Sequence, residues 1–570
     1  MERVILKKQI GFNGFDLFDA LKNKSVAVTM SIVVFFIVLN TVKITLFDYF
    51  LIQKHSLDVF SYKLGMTALS VIIIIALTMK FKSRIVFVTI YILQTLYIVA
   101  NISYYLYFHN YLHLFQAISL LKEAFSITRN SAVPVSPLML IVFIDMPFFI
   151  YLAKNYYKTT YIKAKLGFFI KTAVILSLCF ITLIESFNYS NNKSLFQLAH
   201  DTFSGESPVV ERYGTIADNL LSLYQNSNNQ ELIKQLHYGK VQSSSVITQD
   251  KPNFIILQVE SMDANIVDQQ YNDSYITPYL HSLSNNSIYY PYTLSYHEGG
   301  GTSDAEFSII NSVESLQYYP ALKLSNYDFP NSMLEQFSKA SYDTLAFHGN
   351  VGNFYNRDVA FPKLGFKDFF DMTKMNIPES GWGIPDNQVF NFAVDKLKTV
   401  QQPFLSYVIT MSSHEPFNSA RNYYNNTAYD SIQDETVRNY YNSMSYVDQS
   451  IKSFVANIES SFKNTYIIIV GDHTPNITSS IYKQASFTMD NTYFEFVPLM
   501  IITPGHKTYK ECSKVAAFTD IAPTILYASG IKFDIRSYGQ NLIQSAVVND
   551  NIPFKGGSYS RTLMFDKVKK

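Results

Sequence analysis

Cysteine and charge are what this chain has least of. Its 570 residues include two cysteines, Cys179 in an apolar run and Cys512 far downstream, which excludes a disulfide framework. Only 16% of residues are charged and the net charge is +1. The total therefore carries no bias toward a polyanion, and no nucleic-acid partner is expected. What is abundant is apolar residue, 48% of the chain, and it is unevenly spread. Before about residue 187 long runs with few charges recur; beyond it the pattern alternates as in a globular domain. The length implies two or more domains, and residues 251–570 suffice to bury a core without disulfides.

A bilayer-spanning helix needs about 20 mostly apolar residues. Five stretches qualify: 26–47, 62–80, 85–108, 134–153 and 167–187. The first is too long and too deep in the chain for a removable signal peptide. Lys7 and Lys8 precede it, Lys80, Lys82 and Arg84 crowd the second connection, and Lys154, Lys158, Lys163 and Lys165 fill the fourth. Basic short loops stay cytoplasmic. The expected topology is a multi-pass protein of the cell membrane with a cytoplasmic N-terminus and everything after residue 187 extracellular. Between the third and fourth spans, Leu114, Ile118, Leu121 and Phe125 recur at helical spacing. That fits an amphipathic helix lying on the outer leaflet, or one packed on the extracellular domain. Asp145, inside the fourth span, is a functional candidate by its position; the alternatives are a cap at a break near Pro147, or a side chain facing the bundle interior. Residues 188–250 are polar, helical near 215–238, and end in Ser243-Ser244-Ser245. They read as an extracellular helical linker with a flexible end. The expected domains are 1–187, 188–250 and 251–570.

From residue 253 short apolar runs at 253–259, 343–347, 404–411, 465–470 and 497–503 alternate with helical patterns at 277–286, 331–340, 387–399 and 435–459. This alternation predicts an α/β domain with a mostly parallel central sheet. Polar residues follow several strand ends: Glu260, His348, His414 and the pair Asp472-His473. Carboxyl ends of strands are where open α/β sheets collect reactive groups. Thr302 follows Gly299-Gly300-Gly301 and opens a helix-like segment.

Each of these residues also has a plainer reading. Glu260 could serve a helix dipole, Asp472-His473 a turn, Thr302 an N-cap, and Arg357 could pair with its neighbour Asp358. A lone histidine, His348 or His414, is more often structural. Joint occurrence at one sheet edge favours a shared site.

The motifs Val259-Glu260-Ser261, Gly301-Thr302-Ser303-Asp304-Ala305-Glu306-Phe307, Phe347-His348-Gly349-Asn350, Asn356-Arg357-Asp358, His414-Glu415-Pro416-Phe417 and Gly471-Asp472-His473 together resemble the lipoteichoic acid synthase family. These are membrane phosphoglycerol transferases with a sulfatase-like extracellular domain of the alkaline phosphatase superfamily. The resemblance covers nearly the whole chain, in the order spans, linker, catalytic domain. It implies that Thr302 is the nucleophile and a metal ligand, with Glu260, Asp472 and His473 completing the metal site. Arg357 and His414 would grip the phosphoglycerol group, with Tyr355 and His348 beside them. Two positions depart from the family: Tyr355 stands where a tryptophan is usual, and Gly301 where a larger, often basic, residue is expected. Both bear on the substrate more than on the reaction class.

Three oxygens and one imidazole suit a single Mn²⁺ or Mg²⁺, with Zn²⁺ as a further alternative. The expected reaction moves glycerol phosphate from phosphatidylglycerol, through a phospho-threonine, to a growing polyglycerolphosphate chain or a glycolipid anchor. Enzymes of cell-envelope synthesis are the natural partners. The rival readings are a related phosphoglycerol or phosphoethanolamine transferase acting on a glycan or capsule, and a non-catalytic polymer-binding scaffold. A sulfatase proper would carry a Cys/Ser-x-Pro-x-Arg run, and none surrounds Thr302.

Overall fold

The computed structural model describes residues 24–51, 57–80, 83–108 and 137–156, scattered single positions between 112 and 220, and 229–569 apart from 318, 325, 478, 491 and 544–548. The chain divides into two compact units, one of residues 1–114 and 134–223, the other of 115–133 and 224–570.

In the first unit, helices α1 (Lys24–Leu51), α2 (Leu57–Lys80) and α3 (Arg84–Phe108) coincide with the first three predicted spans. Among the described residues, two stretches are long and apolar enough to cross a bilayer, Ser31–Asp48 and Arg84–Ser103; Lys63–Ile75 is a shorter apolar run. The fourth predicted span is not one helix. A 3-10 segment, Pro137–Phe143, gives way at Asp145 to α4 (Met146–Lys154). Pro147 has no N–H to donate and sits at the start of α4, where that donor would be unpaired anyway. The fifth predicted span, 167–187, and the amphipathic segment after the third lie almost wholly outside the described residues, as does most of 188–228.

On α1, Phe36, Asn40, Lys43 and Phe47 are buried while Val34, Phe35 and Val38 are exposed, so one helical face packs inward. That face carries charge. Asp145 accepts from Lys43 Nζ (2.8 Å), Asn40 Nδ2 (2.6 Å) and Tyr91 Oη (2.7 Å). Asp145 and Lys43 are both fully buried. Asp145 occupies the N-cap position of α4 without a side-chain cap hydrogen bond; its carboxylate instead faces the interior and joins α1, α3 and the start of α4.

The second unit is an α/β domain on a ten-stranded mixed sheet. Its strands, in chain order, include β2 (Asn253–Val259), β3 (Ile288–Leu294), β4 (Asp343–His348), β5 (Asp368–Phe370), β6 (Phe404–Ile409), β7 (Thr465–Gly471) and β8 (Thr492–Ile502). Across the sheet, β7, β2, β6, β4 and β5 are neighbours and all parallel. On the other side of β7 the sheet turns antiparallel: β8 opposes β7, and β3 opposes β8. The expected parallel sheet therefore holds for these five strands, which run from β7 to one edge of the sheet, and is interrupted by the antiparallel pairs of β8 with β7 and β3.

Both faces are covered. Phe254 and Ile256 of β2 join one core cluster, Ile255, Leu257 and Val259 the other, the period-2 split a doubly covered strand requires. Before β2, β1 (Lys240–Ser244) pairs antiparallel with β9 (Phe533–Ser537). The end of the segment read as a flexible linker is thus ordered against the globular unit.

Candidate functional site

Register places the first residues of the site. Val259 of β2 is level with Gly471 of β7, so Glu260 and Asp472 leave adjacent parallel strands side by side. The contact is sealed by Asp472 N–H donating to Val259 O (3.1 Å) and Ser261 N–H donating to Asp472 Oδ1 (2.8 Å). Glu260 N–H donates to Thr410 Oγ1 (2.9 Å), beyond the end of β6. Ligand atoms of Glu260, Asp472 and His473 lie within 4.8 Å of one another, and all three residues are buried.

Thr302 opens α5 (Thr302–Asn311). The preceding turn wraps the Asp304 carboxylate, whose Oδ2 accepts from Glu298 N and Gly300 N, each at 2.9 Å. A side chain at Gly300 would begin 2.2 Å from Asp304 Oδ1, so only glycine closes this turn. Gly301 sits at φ +52°, ψ −134°, a conformation that other residues rarely adopt. The turn delivers Thr302 half-buried, with its Oγ1 donating to Glu260 Oε2 at 3.1 Å. The hydroxyl therefore shares its carboxylate with His473, whose Nε2 is 3.2 Å from Glu260 Oε1. His473 Nδ1 meets the Thr474 carbonyl at 2.9 Å, which assigns Nδ1 as the donor and turns Nε2 toward the carboxylates.

Electrostatically this cluster is incomplete. Burial, followed by the charge of Glu260, holds the Asp472 carboxyl well above the ordinary carboxylate range. Burial also opposes ionisation of Glu260, but His414 and His473 outweigh it and hold Glu260 low. Burial opposes protonation of His473, yet Asp472 and Glu260 keep its pKa well above the usual histidine value. Asp472 Oδ2 is buried and has no hydrogen-bond partner among the described residues. Two desolvated carboxylates, an aligned imidazole nitrogen and an orphaned oxygen fit a divalent cation, whose charge would release the shared protons.

Around this core lie the other sequence candidates. Arg357, the first residue of α6 (Arg357–Leu364), is 1% exposed. Its partner is not Asp358, the neighbour considered from sequence, but Glu306 of α5. The Tyr355 ring lies 5.7 Å from the Arg357 guanidinium carbon. Tyr355 and Asn356 both adopt left-handed backbone, at φ +52° and +64°, a conformation concentrated at functional sites. A side chain at Gly301 would begin 3.1 Å from Tyr355 Oη. The two departures from the family pattern thus meet in space, since the tyrosine hydroxyl occupies what a residue at 301 would fill.

His348 ends β4, is 1% exposed, and neither ring nitrogen has a hydrogen-bond partner among the described residues. Burial and then Arg357 depress its pKa strongly, so it is neutral. His414 points Nδ1 at the Glu415 carbonyl (2.8 Å) and stacks on Trp382, with ring centroids 4.2 Å apart. Trp382 lies 32 positions before His414, with the whole of β6 between them, yet the fold sets its ring against His414.

Two residues at this edge were not anticipated. The His297 ring stacks on His473 at 4.1 Å, and its Nδ1 is 3.1 Å from Glu495 Oε2. Glu495 lies near the start of β8, and β8 runs antiparallel; its beginning, not its end, reaches the edge where the parallel strands finish. A search confined to strand ends overlooks such a residue.

Residues 252–531 match the sulfatase family. Over that segment the chain carries a sulfatase-family domain. It is 26% identical over 347 residues to a lipoteichoic acid synthase-like protein of Bacillus subtilis, covering 56% of this chain and 54% of that one. It is 28% identical over 384 residues to the lipoteichoic acid synthase of Staphylococcus saprophyticus, covering 60% and 57%. The chain thus spans about half the length of the curated relatives it matches. Among solved structures, the integral membrane protein lipooligosaccharide phosphoethanolamine transferase A from Neisseria meningitidis is alike in fold. There the TM-score is 0.51 at 14% identity, over 88% of this chain and 95% of that one.

Proposed function

We propose that this protein is a metal-dependent phosphoglycerol transferase of the cell membrane, with its sulfatase-family domain outside. It would move glycerol phosphate from phosphatidylglycerol to a glycerol-phosphate polymer or glycolipid acceptor through a phospho-threonine. The observation that carries this reading is Thr302 Oγ1 at the head of a helix, 3.1 Å from Glu260 Oε2 within the Glu260, Asp472 and His473 cluster. The names of the curated relatives support the reaction class.

Glu260, Thr302, Asp472 and His473 would hold the cation, and Mn²⁺ suits their hard oxygens and single imidazole. When bound, such an ion lowers the pKa of the threonine hydroxyl and offsets charge at the phosphoryl group. The remaining work belongs to the side chains. Thr302 Oγ1 forms the new bond to phosphorus as the bond to the diacylglycerol oxygen breaks. Arg357 holds phosphoryl oxygens in a planar fork. His414, its ring fixed by Trp382 and the Glu415 carbonyl, protonates the departing oxygen through Nε2. In the second half of the reaction an acceptor hydroxyl attacks the same phosphorus and Thr302 leaves. Tyr355, with its hydroxyl over Gly301, and the neutral His348 line the pocket where the glycerol moiety would lie.

Replacing Thr302 by Ala tests the reading directly. Turnover of a fluorescent phosphatidylglycerol should fall by at least about 10³-fold, and the wild type, quenched during turnover, should show phosphoglycerol mass on the Thr302 peptide. Undiminished turnover by Thr302→Ala ends the assignment. Supplying glycan acceptors in the same assay distinguishes the rival acceptor classes.

A further inference from the structure

Arg357 is a buried cation that is already partnered. Glu306 accepts from its Nε at 3.0 and 2.9 Å and from Nη2 at 2.5 Å, and the Phe354 carbonyl accepts from Nη1 at 3.2 Å. The two side chains are 1% and 0% exposed. A guanidinium has five N–H donors in one plane. Glu306 takes the Nε/Nη2 edge and Phe354 one Nη1 donor, which leaves one N–H on each terminal nitrogen for a phosphoryl group.

Glu306 is also the fourth residue after Thr302 on α5. Residues i and i+4 share a helix face, about 6 Å apart along the axis. The nucleophile and the carboxylate that orients the guanidinium are thus carried by one rigid turn, whereas Arg357 itself begins α6 behind a loop containing two left-handed residues.

We propose that Glu306 is the positioning residue of the phosphate clamp: it fixes the free end of the Arg357 guanidinium at a set distance from Thr302, so that α5 alone dictates nucleophile-to-clamp geometry. This rests on the reading of Arg357 as the phosphate-binding group. Neutralising the carboxylate puts an amide N–H₂ against the guanidinium, and the fork loses its orientation while its charge remains. Glu306 touches no substrate; its effect passes through Arg357.

The test is a double-mutant cycle on the full chain in detergent with Mn²⁺, reading calorimetric affinity for glycerol 1-phosphate. Glu306→Gln and Arg357→Lys should each weaken binding by about tenfold or more, and the double variant should lose no more than about threefold beyond the worse single one. Glu306→Asp, which keeps the charge, should recover part of the loss. If Glu306→Gln fails to fold, the same cycle is run with Glu306→Asp. Multiplying losses in the double variant, or binding by Glu306→Gln within about twofold of wild type, overturns the proposal. Wild-type protein that binds glycerol 1-phosphate but does not cleave phosphatidylglycerol sinks the donor assignment and leaves the clamp standing. Wild-type protein that binds no glycerol 1-phosphate sinks both.

Discussion

In the first unit a buried carboxylate, Asp145, receives an ammonium, an amide and a phenol. In the second, two buried carboxylates, Glu260 and Asp472, share one imidazole, and Asp472 Oδ2, 3.7 Å from His473 Nε2, has no hydrogen-bond partner among the described residues. Motifs in the sequence mark the second cluster, but how either acid is neutralised is not written in the residues around it. The structure separates them by counting charges. Lys43 and Asp145 cancel, and Asn40 adds a reciprocal amide pair with Gln94. The cluster is closed and serves to join helices. Glu260, Asp472 and His473 do not cancel unless protons or a cation intervene, so that cluster is open to a ligand. A buried acid therefore signals function when its immediate shell fails to neutralise it, not by burial alone.

The sharpest way to break this comparison is to open the closed cluster. Asp145→Ala strands the Lys43 ammonium, and removing one partner of a buried pair costs about 3–5 kcal/mol. Replacing both, Lys43→Met with Asp145→Leu, should recover most of that loss. Far-UV circular dichroism melts of the full chain in detergent read the effect. The chain's one tryptophan, Trp382, lies in the second unit, so a fluorescence melt should be insensitive to Asp145→Ala. A matching loss in both signals would show that the clusters are not independent.

Next in size is removal of metal from the open cluster. A cation at about 100 times its dissociation constant stabilises the folded form by about 2.7 kcal/mol. A chelator should therefore lower the Trp382 fluorescence melt by that order and restore it on adding Mn²⁺. It should leave activity of the Asp145 variants no more impaired than that of wild type treated alike. A Trp382 signal indifferent to chelation would contradict the metal assignment.

The legible parts of this molecule were those with strong local signatures. Parallel strands buried on both faces read as continuous apolar runs, so β2, β6 and β7 stood out, with Glu260 and Asp472-His473 at their ends. β3 did not, because Ile288–Leu294 contains Pro291, which cannot donate to a sheet ladder and argues against a central strand. Strand direction has no local signature either, which hid the reversal of β8 and with it Glu495. Arg357 was legible as a cation in a motif, but its partner Glu306 is 51 residues away and is brought to it only by tertiary packing. Trp382 looked remote for the same reason: stacking on His414 is set by tertiary packing, not by spacing. The break at Asp145 could be foreseen from Pro147, whereas the identity of the three donors around it could not.

The smallest effect is also the one with the opposite sign. Asp472 is an acid whose folded pKa lies well above its ordinary value, through burial first and then Glu260. Such a group contributes stability that is fully present below its unfolded pKa of about 3.9 and is lost as pH rises through the folded value. Near neutral pH the metal-free protein has therefore forfeited it. Asp472→Asn keeps an oxygen to accept from Ser261 N and His473 N and has no charge to desolvate. In chelator, at pH 7, it should raise the Trp382 melt by the order of 1–2 kcal/mol and flatten the dependence of that melt between about pH 4 and 7. With Mn²⁺ present the order reverses, because a ligand is gone, and the variant should melt below the wild type. A variant less stable than wild type under both conditions would mean that Asp472 is already neutralised within the protein, and the contrast with Asp145 would collapse.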